Sequence, residues 1–239
     1  MHSNHNDRSN SILTKHEQPS DKKKRLLVLS KGWLHPSIWV RRKFRDMLLS
    51  FAEGEQNGSY EFTFTNRFED LSRMGAGDAS NDSQFDGIIL LIHENKLSDK
   101  LTSEFISRIQ RFLSQGGGLL AVHGALASFK SVSEYGRILG SRFIGHDAAG
   151  PVEIQEANAS DSFMLKEELY LHNYDQSNNI LWYSSCKGEK VPVAWTKEEN
   201  RGRVFCFSLG HFASTFENKK VQKILHDAIA WITRQVNEL

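Results

Sequence analysis

The sequence predicts an α/β domain built on a mostly parallel sheet with helices on both faces. Three observations carry this: continuous apolar runs of strand length, amphipathic segments at helical spacing between them, and turn-forming residues at the joints. The first run is Arg25–Ser30 (RLLVLS), where ordered structure is expected to begin. Pro36 stands where a first helical turn tolerates proline, and Ile38, Phe44, Met47, Leu48 and Phe51 follow at helical spacing. Tyr60–Thr65 (YEFTFT) alternates apolar and polar residues, as a half-buried strand does. Residues 72–84, rich in Gly, Ser, Asn and Asp, read as a loop. Asp86–Ile92 (DGIILLI) has the continuous apolar character of a parallel strand covered on both faces. Ser98 is placed to cap a helix that turns Leu101, Phe105, Ile109, Phe112 and Leu113 inward. Gly116–Gly118 end that helix, and Leu119–Val122 form the next buried strand. Further strands are expected at Val152–Gln155, Ile180–Ser184, Val191–Trp195 and Val204–Leu209. Ser214-x-x-Glu217 reads as a capping box opening a last helix, which buries Val221, Ile224, Leu225, Ala228, Ile229 and Ile232. No repeat or linker divides residues 25–239, so one domain behind a tail of residues 1–24 is expected.

At 239 residues the chain is long enough to bury a full core without disulfide or metal staples. Thirty Lys and Arg oppose 29 Asp and Glu, a net charge of +1. The first 25 positions hold six basic and three acidic residues; that segment carries +3 and the remainder −2. A body so close to neutral offers no footprint for a phosphate backbone, and no nucleic-acid partner is expected. The tail, rich in Ser, Asn, Asp and Lys, reads as disordered, with Lys22–Arg25 a solvated charge run. It has no apolar signal core, and no apolar run approaches the roughly 20 residues that span a bilayer, so no membrane partner is expected. Two cysteines, Cys186 and Cys206, are too few for a secreted disulfide scaffold. A reducing, cytoplasmic setting is the expectation.

Open parallel sheets bind ligands outside the carboxyl ends of their strands. The first predicted strand is followed by Lys31-Gly32-Trp33-Leu34-His35, and DGIILLI by His93-Glu94-Asn95. The third central strand runs into His123-Gly124-Ala125, and Val204–Leu209 into Gly210-His211. Imidazole titrates near neutrality and, uncharged, ligates metals. Any one of these rings could simply cap a strand or helix end, His93 above all. Convergence of four on one rim is not explained by packing.

Five segments in order carry a family resemblance. They are Gly116–Ala125 (GGGLLAVHGA); Tyr135–Gly140 (YGRILG) with Phe143 and His146; Glu168-Leu169-Tyr170; Pro192-Val193-Ala194-Trp195; and Gly202-Arg203-Val204-Phe205 with Gly210-His211. Over roughly residues 25 to 235 the chain resembles the ThuA-like family, named for a trehalose-utilisation protein. The resemblance implies a flavodoxin-like sandwich of the class I glutamine amidotransferase type. It also implies carbohydrate metabolism, with trehalose and related disaccharides as the named connection and a partner oxidoreductase that makes 3-keto sugars. In the amidotransferases a cysteine nucleophile follows the Gly-rich strand on a sharp elbow; here that place holds His123. Cys186 and Cys206 fall in later predicted strands, so glutamine hydrolysis through an acyl-enzyme is excluded. Glu167 stands where the family usually has Asp, and His93 where it usually has no histidine.

A proton beside the carbonyl of a 3-keto sugar is acidified, and its removal needs a base and an oxyanion stabiliser. His123, His211 and Glu168 are the expected catalytic residues. His146, with or without those three, is the expected metal ligand: three imidazoles and one carboxylate equally suit a divalent ion such as zinc. The spacing contains no HxH or HExxH pair and leaves both chemistries open. Trp33, His35, Tyr170 and Trp195 are expected to bind substrate, the aromatic rings lying on sugar C–H faces. Gly116–Gly118 precede a strand and lack a following Gly-Lys-Ser/Thr, so they are not a phosphate loop. The favoured reading is an enzyme acting on a small-molecule sugar or 3-keto sugar. The alternative is a non-catalytic sugar-binding or regulatory subunit of a sugar oxidoreductase system.

Overall fold

Strands that are apolar on both faces must be covered on both faces, and the predicted runs become the centre of one large sheet. The computed structural model describes residues 22–239 except 33–34, 54–59, 74–84, 159–160 and 187. In chain order the strands are β1 (Lys24–Lys31), β2 (Tyr60–Thr65), β3 (Gly87–Ile92), β4 (Gly118–Val122), β5 (Ser141–His146) and β6 (Gly150–Glu156), then β7 (Ser162–Glu167), β8 (Tyr170–Tyr174), β9 (Asn179–Cys186), β10 (Glu189–Glu199) and β11 (Gly202–Phe207). The helices are α1 (Ile38–Glu53), α2 (Asp99–Ser114), α3 (Ser133–Leu139) and α4 (Lys219–Ile232).

Nine strands lie in the order β2-β1-β3-β4-β11-β10-β9-β6-β7, while β5 and β8 pair separately. From β2 to β11 every pairing is parallel; from β11 to β7 every pairing is antiparallel. Alternation along each parallel strand splits the core into two layers. Leu26, Val28, Leu120 and Phe205 point to one face and meet Phe44 and Leu48 of α1 and Val221 and Leu225 of α4. Leu27, Ile88, Leu119 and Val204 point to the other and meet Phe105 and Ile109 of α2 and Ile138 of α3. Each such side chain, removed from water, contributes about 2 kcal/mol. Among the described residues no helix is long and apolar enough to cross a membrane.

The sequence reading needs correction in several places. Strands β5 (SRFIGH), β7 (SFMLKE) and β8 (YLHNY) depart from the expectation, because none has a continuous apolar run of strand length or a clean two-residue alternation of apolar and polar residues. Ser98 does cap α2, its hydroxyl accepting from the Leu101 amide. The last helix, however, opens at Lys219, with the Asn218 side chain accepting from the amides of Lys220 and Val221. Ser214 and Glu217 lie in a separate 3-10 turn, so the capping box is not formed. Ile38 and Leu101, both in first helical turns, are exposed, and Val40 and Ile106 are buried instead. Residues 1–21 of the tail, 74–84 of the loop and Trp33 lie outside the described residues.

Trp195 is corrected as a substrate residue. Strand β10 continues to Glu199, so Trp195 sits in mid-strand and is 0% exposed, its indole N–H donating to the Leu139 carbonyl at 2.9 Å. Its edge meets His172 and Tyr174, and burial makes His172 a source of acid sensitivity. Neither ring nitrogen of His172 has a hydrogen-bond partner, and burial lowers its pKa from 6.5 to about 3. The unfolded chain therefore takes up this proton first. The stability that neutral His172 retains is complete above pH 6.5 and drains away as pH falls towards 3. Within that window the slope from this one group approaches about 1.4 kcal/mol per pH unit. Urea unfolding at pH 7 and pH 4.5 should show His172→Phe losing distinctly less stability on acidification than wild type; an unchanged loss would reject this account.

Candidate active site

The parallel strands end on one rim, and four histidines follow them. His35 lies in the connection from β1 to α1, His93 follows β3 directly, His123 opens the 3-10 turn after β4, and His211 comes shortly after β11. The His35 ring centroid is 4.8 Å from that of His123, 5.1 Å from His211 and 5.2 Å from His93. Gly124 makes this crowding possible. A Cβ there would come within 2.6 Å of the Ile92 carbonyl and 3.4 Å of His35 Cδ2.

His123 is the most constrained of the set. It is 1% exposed and holds φ at +46°, a left-handed conformation uncommon for a side chain of this size. Its Nδ1 lies 2.8 Å from the Ser208 carbonyl oxygen. A carbonyl can only accept, so Nδ1 carries the hydrogen and Nε2 presents a bare lone pair. That Nε2 is buried without a hydrogen-bond partner, 3.9 Å from Glu168 Oε2.

Glu168 reaches the rim from the far end of the sheet. Strand β7 is the sheet's outer antiparallel strand, and past Glu167 the chain leaves it to enter β8, which pairs with β5. The hinge of this departure is Glu167. Its buried carboxylate accepts from the amides of Gly210 (2.9 Å) and His211 (3.2 Å), from the Thr215 hydroxyl and from the Glu168 amide (3.1 Å). Burial raises the Glu167 pKa despite those donors. Beside it, Glu168 Oε2 is 3.3 Å from His211 Nδ1, and Oε1 is 3.2 Å from the exposed His146 Nδ1 at the end of β5.

Burial is also the main reason His35 and His123 stay uncharged. His35 is lowered to about 4 by burial and then by His93, His211 and His146. His123 is lowered by burial and by His35. Tyr170 closes the floor: its ring stacks on His123 at 4.3 Å, and its hydroxyl is 3.2 Å from His35 Nε2. The Tyr170 ring is buried, which corrects its expected role as a platform for a sugar ring.

Of the expected residues, His35, His123, Glu168 and His211 each offer one donor atom, and these four atoms lie within 4.8 Å of one another. His146 stands outside that quartet, on the second oxygen of Glu168. His93 is exposed and meets the quartet at the edge of the His35 ring. Sequence reasoning placed His35 among substrate-binding residues and not in the cluster, although it is the first of the rim histidines. The anchoring by Glu167 had no signal beyond two adjacent carboxylates.

A family model described as ThuA, trehalose utilisation, matches residues 25–232. Among solved structures, a ThuA-like protein from Bacteroides uniformis superposes with a TM-score of 0.67 at 15% identity, covering 92% of this chain and 95% of that one. One from Parabacteroides merdae gives 0.67 at 16% identity, covering 91% and 92%. A beta-galactosidase from Bacillus circulans sp. alkalophilus gives 0.56 at 14% identity, over 86% of this chain but 30% of that one. At such identities the likeness is one of fold. No curated protein matches the sequence.

Proposed function

The chain belongs to the ThuA trehalose-utilisation family, and from that premise we propose that it acts on a sugar or 3-keto sugar of the trehalose-related disaccharide class at the rim described above. The family ties the chain to carbohydrate metabolism in general. The observation that carries the finer reading is the meeting of His35, His123, Glu168 and His211, drawn from four separate connections, at the carboxyl edge of the parallel strands. A 3-keto sugar carries acidified C–H bonds beside its carbonyl, so isomerisation or elimination begins with proton removal. The Glu168–His146 pair, at the exposed side of the cluster, takes that proton. His211 faces the oxygen on which charge develops, His123 accepts from a substrate hydroxyl through its bare Nε2, and His35 holds Tyr170 beneath them.

The same reading assigns the parallel half to the flavodoxin-like, class I glutamine amidotransferase-like type. Its spatial order, β2-β1-β3-β4-β11, is the 2-1-3-4-5 order of that fold when the parallel strands alone are counted. His123 holds the positive-φ position after β4 where a nucleophile elbow would put cysteine. Cys206 is buried within β11, where burial pushes its thiol up, so no thiolate serves the rim from there.

The test is incubation with an enzymatically oxidised, 3-keto disaccharide, followed by product analysis. Turnover is expected from wild type, with Glu168→Gln lowering kcat by at least about 100-fold, the scale of a lost general base. Full activity in Glu168→Gln would remove Glu168 from the site. Stabilisation by the sugar without product would favour the non-catalytic subunit of a sugar oxidoreductase system.

A further inference from the structure

The lone pair of His123 Nε2 faces the wrong partner. Nδ1 must be the protonated nitrogen, because it meets the Ser208 carbonyl, and Nε2 therefore points an acceptor at Glu168 Oε2, another acceptor, 3.9 Å away. Nothing in the described residues donates to it. His211 brings a second imidazole nitrogen to the same place: its Nδ1, also without a hydrogen bond, is 3.3 Å from the same carboxylate oxygen. A bare imidazole acceptor buried against a carboxylate is repelled by it unless a cation lies between them. We propose that His35, His123, His211 and Glu168 form the binding site of a divalent first-row transition ion, zinc in the first instance.

The donor set and its size both fit. Three imidazoles and one carboxylate are borderline ligands, suited to zinc and poorly suited to magnesium or calcium, which take mainly oxygen. Bonds of about 2.0–2.1 Å to zinc put tetrahedral donors about 3.4 Å apart. The His211–Glu168 separation of 3.3 Å is already at that distance, and the four donor atoms, all within 4.8 Å of one another, need only a small contraction. Groups that orient the ligands are present as well. The Ser208 carbonyl fixes the tautomer of His123, and His146 engages the carboxylate oxygen that faces away from His211. When bound, the ion would polarise a sugar carbonyl or neighbouring hydroxyls. The proton-taking role stays at the His146 edge of Glu168.

This inference rests on the sugar site only in sharing its side chains, and its test reads bound metal instead of turnover. The full chain, expressed without an affinity tag and freed of metal with a chelator, is titrated with zinc and then assayed by elemental analysis after gel filtration. About one ion per chain is expected, with a raised melting temperature. Because His2, His5 and His16 also offer imidazoles, the variant carrying His2→Gln, His5→Gln and His16→Gln should keep the ion. Glu168→Gln and His211→Ala, each checked for folding by circular dichroism, should bind more than about 100-fold more weakly. Cobalt(II) added to wild type should give the intense visible bands of a tetrahedral site, which requires no variant to fold. Failure of folded wild type to take up zinc or cobalt, or loss of the ion with the tail histidines alone, would overturn the proposal. Zinc binding without sugar turnover would leave the metal site standing and reject the proposed substrate instead.

Discussion

Glu167→Ala is expected to lower the melting temperature by about 10 °C, equivalent to about 3–4 kcal/mol for a chain of this size. Four donors converge on that carboxylate: the amides of Gly210, His211 and Glu168 and the hydroxyl of Thr215. Removing the acceptor strands them in a buried place, and an unsatisfied buried donor costs about 1–3 kcal/mol. Water entering the vacated space will recover part of the sum, which is why the expected loss is below the simple total. Glu167→Gln, which keeps one acceptor oxygen, should lose about half as much. Differential scanning calorimetry of the three proteins decides the matter, and a change of less than about 1 kcal/mol in Glu167→Ala would mean that the carboxylate holds nothing together. The loss should extend to the site, since Glu167 ties the end of β7 to the segment bearing His211. Zinc affinity should therefore fall although Glu167 is not among the four donors.

The second large effect is on activity. His123→Ala is expected to reduce turnover of the 3-keto sugar by about 1000-fold or more, on the scale of losing a residue that works as one unit with its neighbours. It should also cost about 2–3 kcal/mol of stability, because the ring is buried, stacked on Tyr170 and bonded to the Ser208 carbonyl. The backbone supplies an internal control. His123 holds φ at +46°, a conformation that glycine adopts freely and alanine does not. His123→Gly should thus be about as inactive as His123→Ala yet more stable by roughly 0.5–1 kcal/mol. Equal stability of the two would show that the turn relaxes once the imidazole is gone.

Much of this architecture was legible because the parallel strands are apolar on both faces: DGIILLI and GLLAV have no polar face to present to water. The antiparallel half was less so. Strand β7 alternates exposed and half-buried residues at a sheet edge, but its three apolar residues are consecutive, so the sequence shows no matching alternation. At Trp195 the apolar run ends before the strand does: β10 continues through Thr196, Lys197, Glu198 and Glu199, which places Trp195 in mid-strand and not at a rim. The rim histidines could be read from position alone, since strand ends in a parallel sheet share one edge. Which of them meet could not, because that depends on the approach of Glu168 from the far end of the sheet. Glu167 looked like a minor variation on the family's usual Asp, and its importance shows only when the amides of Gly210 and His211 are found against it.

The insertion of β11 beside β4 has a consequence for synthesis on the ribosome. The strands are neighbours in the sheet, yet the chain makes its whole antiparallel excursion, β5 to β10, between them. A nascent chain emerging N-terminus first can form β1, β3 and β4 and still expose the open edge of β4, with Leu120 and Val122 waiting for Phe205 and Phe207. Such a long-range parallel pairing is a slow step, and it comes near the end. The histidine cluster needs both sides of that seam, so a half-made chain carries His35 and His123 but no site. Chemistry at the rim is thereby withheld until translation has passed His211.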